Sequence, residues 1–159
     1  MTVVSNTSPL LNLALIGRLA LIEAQFDEVV IPLTVWHEIQ AGAAGVDQIE
    51  SLRDRGGLRI VSPESTELLT ELQRELDAGE AAALAYAIDT DAERILLDER
   101  EGRAAASRHD VPVTGVVGIL LRASRQDGLD LESELNTLRD AGFWIADDLY
   151  ERALALDRE

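Results

Sequence analysis

Short apolar runs and longer segments of helical period alternate along this chain. The short runs are rich in β-branched residues and predict strands at Thr2–Ser5, Glu28–Ile31, Leu58–Val61, Arg94–Leu97 and Val111–Val113. Strands that alternate with helices in this way are typical of a mainly parallel sheet with both faces covered. We therefore predict an α/β fold with a mainly parallel sheet of about five strands between helical layers.

The segments between the predicted strands carry apolar residues at helical spacing. Two short helices are predicted to meet at Gly17, and Pro32 is predicted to begin a third helix that runs through Ala41. Further helices are predicted at Val46–Arg55, Glu64–Glu75, Gly79–Ile88, Glu101–Arg108, Val116–Gln126, Asp130–Ala141 and Asp147–Asp157. With no internal repeat or linker, the 159 residues fit a single domain over residues 1–159.

Charge and residue usage exclude several classes of function. The net charge of −16 disfavours nonspecific binding to nucleic acid or anionic membranes, so a phosphate-bearing partner would need metal ions or a local arginine patch. All 14 basic residues are arginine, which excludes reactions that require a lysine, such as those of a Walker A phosphate loop. The chain has no cysteine, which removes disulfides, thiolate catalysis and zinc–thiolate sites.

The sequence also lacks targeting and membrane signals. Its N-terminus has no basic region followed by a long apolar core and a cleavage site, and no apolar stretch reaches the ~18 residues of a membrane span. We expect a cytoplasmic protein without a membrane partner.

Four polar residues are predicted to meet at the carboxyl edge of the sheet, where open α/β sheets bind their ligands. Asn6 follows the first strand and Asp98 ends the fourth, while Glu38 lies about two turns into the third helix and leans back over the edge. Glu80 opens an alanine-rich helix. Three carboxylates and one amide would form a site for Mg²⁺ or Mn²⁺, and two such ions can activate water and stabilise the leaving oxygen of a phosphodiester.

The acidic residues of this set also have structural interpretations. Glu80 is also interpretable as a first-turn acid that complements the helix dipole, and Asp98 as the N-cap of the helix that follows it. Either Glu99 or Glu101 supplies another oxygen to the metal, and we assign Glu101 as a further ligand; the alternative is a solvated helix start.

Arginine and tryptophan complete the candidate residues. Arg100 and Arg103 lie within one turn of the predicted site and either bind a phosphate bidentately or pair with the neighbouring glutamates. Trp36 and Trp144 are interpreted as core or interface anchors, because no aromatic cluster accompanies them as a base-stacking platform would require.

The order of the sequence blocks resembles that of PIN-domain proteins, in particular the small stand-alone prokaryotic branch related to VapC-type toxin nucleases. The blocks are VVSNTSPL, IPLTVWHEI, DAGEAAALAYA, ILLDEREGRAAA, VPVTGVVGILLRA and AGFWIADDLYERAL. The resemblance implies a three-layer α/β/α sandwich that cleaves RNA with Mg²⁺ or Mn²⁺, and it carries the four ligand positions onto Asn6, Glu38, Glu80 and Asp98. Thr7 and Ser8 match the small polar residues beside the first ligand and are expected to contact substrate.

Two hypotheses of function follow. The first is a metal-dependent ribonuclease that hydrolyses RNA phosphodiester bonds, with a role as the toxin of a toxin–antitoxin pair implied by the resemblance. The second is a catalytically weakened or silent PIN-fold module that binds RNA or a protein, because Asn6 removes one negative charge from the cage and should weaken metal binding. The alanine-rich helix and the apolar C-terminal helices predict a homodimer, and an antitoxin partner is implied by the resemblance alone.

Overall fold

The chain is built around a parallel five-stranded sheet. The computed structural model describes residues 2–42, 44–62 and 64–159. The strands are β1 (Val3–Ser5), β2 (Val29–Pro32), β3 (Leu58–Val61), β4 (Arg94–Leu96) and β5 (Val113–Thr114). All neighbouring strands pair in parallel in the order β3-β2-β1-β4-β5. The predicted fold class is confirmed.

Helices cover the sheet and complete a three-layer α/β/α sandwich. In the described part of the chain they are α1 (Thr7–Leu15), α2 (Ala20–Phe26), α3 (Leu33–Gly42), α4 (Val46–Asp54), α5 (Glu67–Leu72), α6 (Ala78–Asp89), α7 (Arg100–Arg108), α8 (Val116–Asp127), α9 (Leu131–Asp140) and α10 (Asp147–Asp157). Helix α6 packs against β1, β2 and β4, and α8 contacts α1, α9 and α10.

Burial explains why the strands read as continuous apolar runs. Every residue of β1 and of β2 is buried, as expected for inner strands covered on both faces. Helix α6 is buried along most of its length, because its alanines and Gly79 allow close approach to the strands. One hydrophobic core cluster collects side chains from Val3 near the start of the chain to Leu154 in α10.

Several predicted boundaries are wrong for identifiable reasons. Pro32 ends β2 instead of beginning α3, pairing in register with Val61; it lacks an N–H to continue the ladder, and the helix begins one residue later. Helix α5 is shorter than the predicted Glu64–Glu75, since Thr66 caps it by accepting a hydrogen bond from Leu69 N–H. The last strand lies at Val113–Thr114 and not at Val111–Val113, and Pro112 instead contributes a carbonyl to Ile95 N–H.

The strand order places a crevice beside β1 and β4. These strands are neighbours in the sheet, with Val4 opposite Ile95 and Ser5 opposite Leu96. In the sequence, β2, β3 and helices α1 to α6 lie between them. The Asn6 N–H extends the pairing by donating to Leu96 O at 3.0 Å. Residues that follow β1 and β4 therefore emerge side by side at the carboxyl edge, where the direction of strand order reverses.

None of the helices in the described residues is both long enough and apolar enough to cross a membrane.

Candidate metal centre

Asn6 and Asp98 occupy the crevice beside β1 and β4. Asn6 is 3% exposed at the N-cap position of α1, and its Nδ2 donates to Glu99 Oε2 at 3.3 Å. Asp98 Oδ1 accepts from Val116 N–H, the first residue of α8, at 3.0 Å. The interpretation of Asp98 as the cap of the helix directly after it is wrong, because Glu99 holds the N-cap position of α7. Asp98 instead ties β4 to the start of a distant helix.

Glu38 and Glu80 approach the same edge from α3 and α6, two helices that pack together. Glu80 lies in the first turn of α6 and is 6% exposed, so it is not a solvated acid at a helix end. Its backbone N–H donates to Asp77 Oδ1 at 2.9 Å. Glu38 is half-buried, and Thr7 Oγ1 donates to its Oε2 at 3.4 Å. The hydroxyl that follows Asn6 thus orients a carboxylate of another element.

Three glycines, which have no side chain, make room for the three carboxylates. A Cβ at Gly79 would lie 2.8 Å from Glu38 Cδ, one at Gly102 would lie 2.8 Å from Glu80 Oε2, and one at Gly115 would lie 2.7 Å from Asp98 Oδ1. These separations are below van der Waals contact, so an alanine at any of the three positions would displace the carboxylate. Each carboxylate is therefore seated against the backbone of a different helix start.

Unpartnered oxygens single out the predicted set. Five buried side-chain oxygens in the described part of the chain have no hydrogen-bond partner: Asn6 Oδ1, Gln25 Oε1, Glu38 Oε1, Glu80 Oε2 and Asp98 Oδ2. Four of the five belong to the four residues predicted as metal ligands. Buried polar atoms are nearly always hydrogen-bonded in folded proteins. Orphaned acceptors collected at one sheet edge therefore indicate a group that accepts oxygen donors.

Burial raises the pKa of each carboxylate in the set. It raises the pKa of Glu80 to about 8, with Asp77 adding to the effect. It raises the pKa of Asp98 to about 6, against the opposing hydrogen bond from Val116 N–H. Burial likewise raises the pKa of Glu38, and the negative charge of Asp77 raises it further. Such crowding of buried negative charge is characteristic of sites that bind cations.

The donor atoms are of the chemical type that a hard divalent cation binds. Within residues 2–42, 44–62 and 64–159, no three His, Asp or Glu side chains form a ready-made ligand group by themselves. The unpartnered atoms of Asn6, Glu38, Glu80 and Asp98 are all oxygens, three from carboxylates and one from an amide. Carboxylate and amide oxygens are the ligands that Mg²⁺ and Mn²⁺ take in proteins.

Glu99 has a closer connection to this set than sequence reasoning assigned to it. It is half-buried and accepts from Asn6, and its negative charge contributes to the raised pKa of Glu38, Glu80 and Asp98. Glu101 is exposed in the first turn of α7, and its charge affects the pKa of Glu80. The Asn6–Glu99 contact joins residues 93 positions apart, so no local pattern could have indicated it.

Of the residues predicted to contact substrate, Thr7 and Ser8 make hydrogen bonds within the protein, whereas the two arginines are exposed on a groove. Thr7 points to Glu38, whereas the Ser8 hydroxyl accepts from Asn12 Nδ2 at 3.1 Å within α1. Arg100 and Arg103 are exposed and line a groove together with Asp98. In the described structure neither arginine makes an ion pair with Glu99 or Glu101, so the pairing alternative is not observed.

The two tryptophans differ sharply in exposure. Trp36 is 6% exposed and belongs to the hydrophobic core, as predicted. Trp144 is 82% exposed, so it is not a core anchor, and its interpretation as an interface anchor stays a prediction. It lies in the loop between α9 and α10, on the groove that Arg100 and Arg103 line.

A family model, DUF3368, whose description is PIN domain, matches residues 2–159. No curated protein matches the chain.

Proposed function

Because the chain belongs to the PIN-domain family, a family of nuclease-type folds, we propose that it is a metal-dependent ribonuclease that hydrolyses RNA phosphodiester bonds. The observation that carries the proposal is the group of four orphaned buried oxygens on Asn6, Glu38, Glu80 and Asp98. PIN domains generally depend on divalent metal, and these oxygens are of the type that Mg²⁺ or Mn²⁺ binds. We assign the metal to these four residues.

The chain's own residues orient the site and exclude water from part of it. The bound ion would supply charge stabilisation at phosphorus and lower the pKa of an attacking water. Thr7 orients Glu38, and Val116 N–H orients Asp98. Glu80 Oε2 and Asp98 Oδ2 are buried and unpartnered, so these two oxygens are poorly hydrated and lose little solvation when they bind a cation.

Glu99 offsets the charge that Asn6 lacks. An amide ligand leaves the cage one negative charge short of an all-carboxylate set. The Asn6 Nδ2–Glu99 hydrogen bond places the negative charge of Glu99 next to the amide and directs Asn6 Oδ1 away from Glu99. A carboxylate that orients a ligand in this way commonly strengthens metal binding. On this view Asn6 is compatible with activity, and we propose Glu99 as a positioning residue and keep Glu101 as a predicted ligand.

A direct test compares wild-type protein with Asp98→Asn on single-stranded and structured RNAs in the presence of Mn²⁺. We expect the wild type to cleave and the variant to be at least about a hundredfold slower, since the variant keeps the side-chain size but loses a ligand charge. If both proteins, checked to be folded, leave every RNA intact, the ribonuclease proposal is wrong.

A second candidate function is a silent PIN-fold module that binds RNA or a protein partner, and Asn6 is the observation that favours it. Calorimetry separates the two functions. A ribonuclease predicts Mn²⁺ binding at micromolar concentration that Asp98→Asn abolishes, whereas a silent module predicts no such binding. A toxin role and an antitoxin partner stay predictions of the resemblance. A homodimer also stays a prediction, although the alanine-rich helix α6 does not support it because that helix is buried within the chain itself. We also propose that residues 1–159 form a single domain around the shared core.

A further inference from the structure

A groove lies between the candidate metal centre and the C-terminal part of the protein. Its volume is about 840 Å³, and Asp98 and Glu99 lie at one end. From there it passes between α7 and α8 to the loop after α9 and to α10. Any chain molecule held in this groove would therefore lead into the site proposed to cut phosphodiesters.

The groove collects guanidinium groups that make no ion pair in the described part of the chain, although Arg103 lies near enough to Asp98 to lower its pKa. Its walls carry five of the 14 arginines, namely Arg94, Arg100, Arg103, Arg122 and Arg152. The ion pairs of the described structure use six other arginines and none of these five. Arg125 borders the same surface beside Arg122. In a chain of net charge −16, such a concentration of unpaired guanidinium groups favours an anionic ligand.

The loop after α9 displays Trp144 as an exposed aromatic surface between two anchored neighbours. On one side Phe143 packs against the core and its N–H donates to Leu138 O at 3.1 Å. On the other side Ile145 is buried, and its carbonyl accepts from Arg139 Nη2 at 3.0 Å. Trp144 between these anchors is 82% exposed. Because the backbone on both sides is anchored, only the Trp144 side chain has to be ordered when a flat ligand stacks on it.

Phosphates and aromatic rings together describe one class of ligand. Guanidinium groups bind phosphate oxygens, and the indole face stacks a nucleobase whatever its sequence. We propose that this groove binds an unpaired stretch of the nucleic acid substrate, with phosphates on its arginines and a base stacked on Trp144. The proposal rests on the proposed ribonuclease function for the identity of the ligand, and it adds Trp144 as the residue that sets which phosphodiester reaches Asp98.

Stacking on Trp144 requires a base that is free of its partner strand. A base within a duplex is already stacked on both sides and turns only its edge outward. The groove should therefore prefer single-stranded RNA, or the loop of a hairpin, over a duplex of the same length.

The first experiment measures binding without cleavage. A fluorescein-labelled single-stranded 12-nucleotide RNA is titrated in EDTA with wild type, Arg122→Gln, Arg152→Gln and Arg74→Gln, using anisotropy. Arg74 is the matched control, because it is also exposed and makes no ion pair in the described structure but lies outside the groove. We expect weaker binding and a salt slope shallower by about 0.7 for each groove variant, and no change for the control.

The second experiment uses the natural fluorescence of the protein. Trp36 is buried, so quenching of tryptophan emission by an unlabelled RNA reports on Trp144. In the anisotropy titration of the first experiment, which needs no tryptophan, we expect Trp144→Ala to weaken binding by roughly 5- to 150-fold, and Trp144→Phe to retain most of the affinity because it keeps an aromatic face. With Mn²⁺ added, Trp144→Ala should also spread the cut over several phosphodiesters.

The outcomes separate this inference from the proposed function. RNA that binds in EDTA with these variant effects but is never cut with Mn²⁺ would leave the groove proposal standing and overturn the ribonuclease. If the wild type cleaves RNA but Arg122→Gln and Trp144→Ala have the same affinity and the same cut position as the wild type, the groove proposal is overturned and the ribonuclease proposal stands. If the protein does not bind RNA but binds poly-glutamate, the groove is a protein interface and the inference is overturned. Burial of Trp144 in a dimer would have the same meaning.

Discussion

At the residue scale, the role of Asn6 depends on the contacts of its side-chain amide. The side chain gives Nδ2 to Glu99 and leaves Oδ1 buried without a partner. A carboxylate could not make the same contact, because two anions would face each other. The neutral Asn6 is therefore compatible with Glu99 beside it. Asn6 supplies the ligand oxygen and Glu99 supplies the negative charge that a single acid would provide.

Replacing Glu99 by Gln should weaken Mn²⁺ binding by about tenfold, since a charge and an orienting contact are lost together. Calorimetry measures the effect, with Glu71→Gln as the comparison because it removes the same charge from an exposed acid of α5 that does not influence the pKa of Glu38, Glu80 or Asp98. Asn6→Asp should bind Mn²⁺ more tightly and lower the stability of the metal-free protein. Equal affinity in Glu99→Gln and wild type would contradict the role given to Glu99.

The raised pKa of Glu80 makes the metal-free protein less stable as pH rises. Its pKa lies near 4.5 in the unfolded chain and about 8 in the folded protein, so between these values the folded state holds a proton that the unfolded state has released. Stability should fall from about pH 5 to about pH 8. Urea unfolding in EDTA tests this, and Glu80→Gln should flatten the dependence. Mn²⁺ affinity should rise over the same range, because the ion displaces the proton.

At the element scale, glycines determine how closely the helix starts approach the carboxylates. Gly115 precedes α8, and a Cβ there would meet Asp98 Oδ1 at 2.7 Å and Arg103 Nη2 at 3.4 Å. Both atoms belong to side-chain ends, so the backbone itself has room.

Gly115→Ala should therefore displace Asp98 and weaken Mn²⁺ binding while the fold persists. The control is Gly42→Ala at the end of α3, where a Cβ meets no atom within 4 Å. This control should be neutral or more stable by up to about 1 kcal/mol through helix propensity. Calorimetry and thermal unfolding of both variants check the pair, and unchanged metal affinity in Gly115→Ala would show that Asp98 tolerates the crowding.

A second element-scale contact fastens α9 to the turn between α1 and α2. Arg18 donates through two nitrogens to Glu134, whose side chain is only 12% exposed. Arg18→Gln should lower the free energy of unfolding by about 1–3 kcal/mol, because the carboxylate would stay buried without its partner. Arg55→Gln removes the more exposed Arg55–Glu23 pair and should cost under about 1 kcal/mol. Urea unfolding compares the two, and equal losses would contradict the argument.

At the scale of the whole molecule, the net charge of −16 acts on stability and on binding in opposite directions. Repulsion among the 30 acidic residues opposes compaction, so moderate salt should raise the melting temperature of the metal-free protein by screening it. The same salt should weaken RNA binding to the groove, where guanidinium groups face phosphates. Thermal unfolding and anisotropy across ~0.05–0.5 M NaCl measure both trends. A melting temperature that falls with added NaCl would contradict the first.

Much of the fold was predictable from local pattern. The alternation of β-branched runs and helical periods predicted five strands, their parallel pairing and nearly every helix, because periodicity records which side each residue buries. The position of Asn6 and Asp98 at strand ends followed from the same pattern. The errors occurred where a single residue decides a boundary, as at Pro32 and Thr66.

The sequence by itself determined the layered architecture and the oxygen-rich character of the candidate site. Only the tertiary structure decided that Glu99 contacts Asn6, that Asp98 ties to the start of α8, and that five unpaired arginines and Trp144 share one groove. The physical reason is range: burial and helix or strand preference are fixed by near neighbours, whereas these contacts join side chains from elements far apart in the chain. Their partners depend on how strands order and helices pack, which no short segment encodes alone.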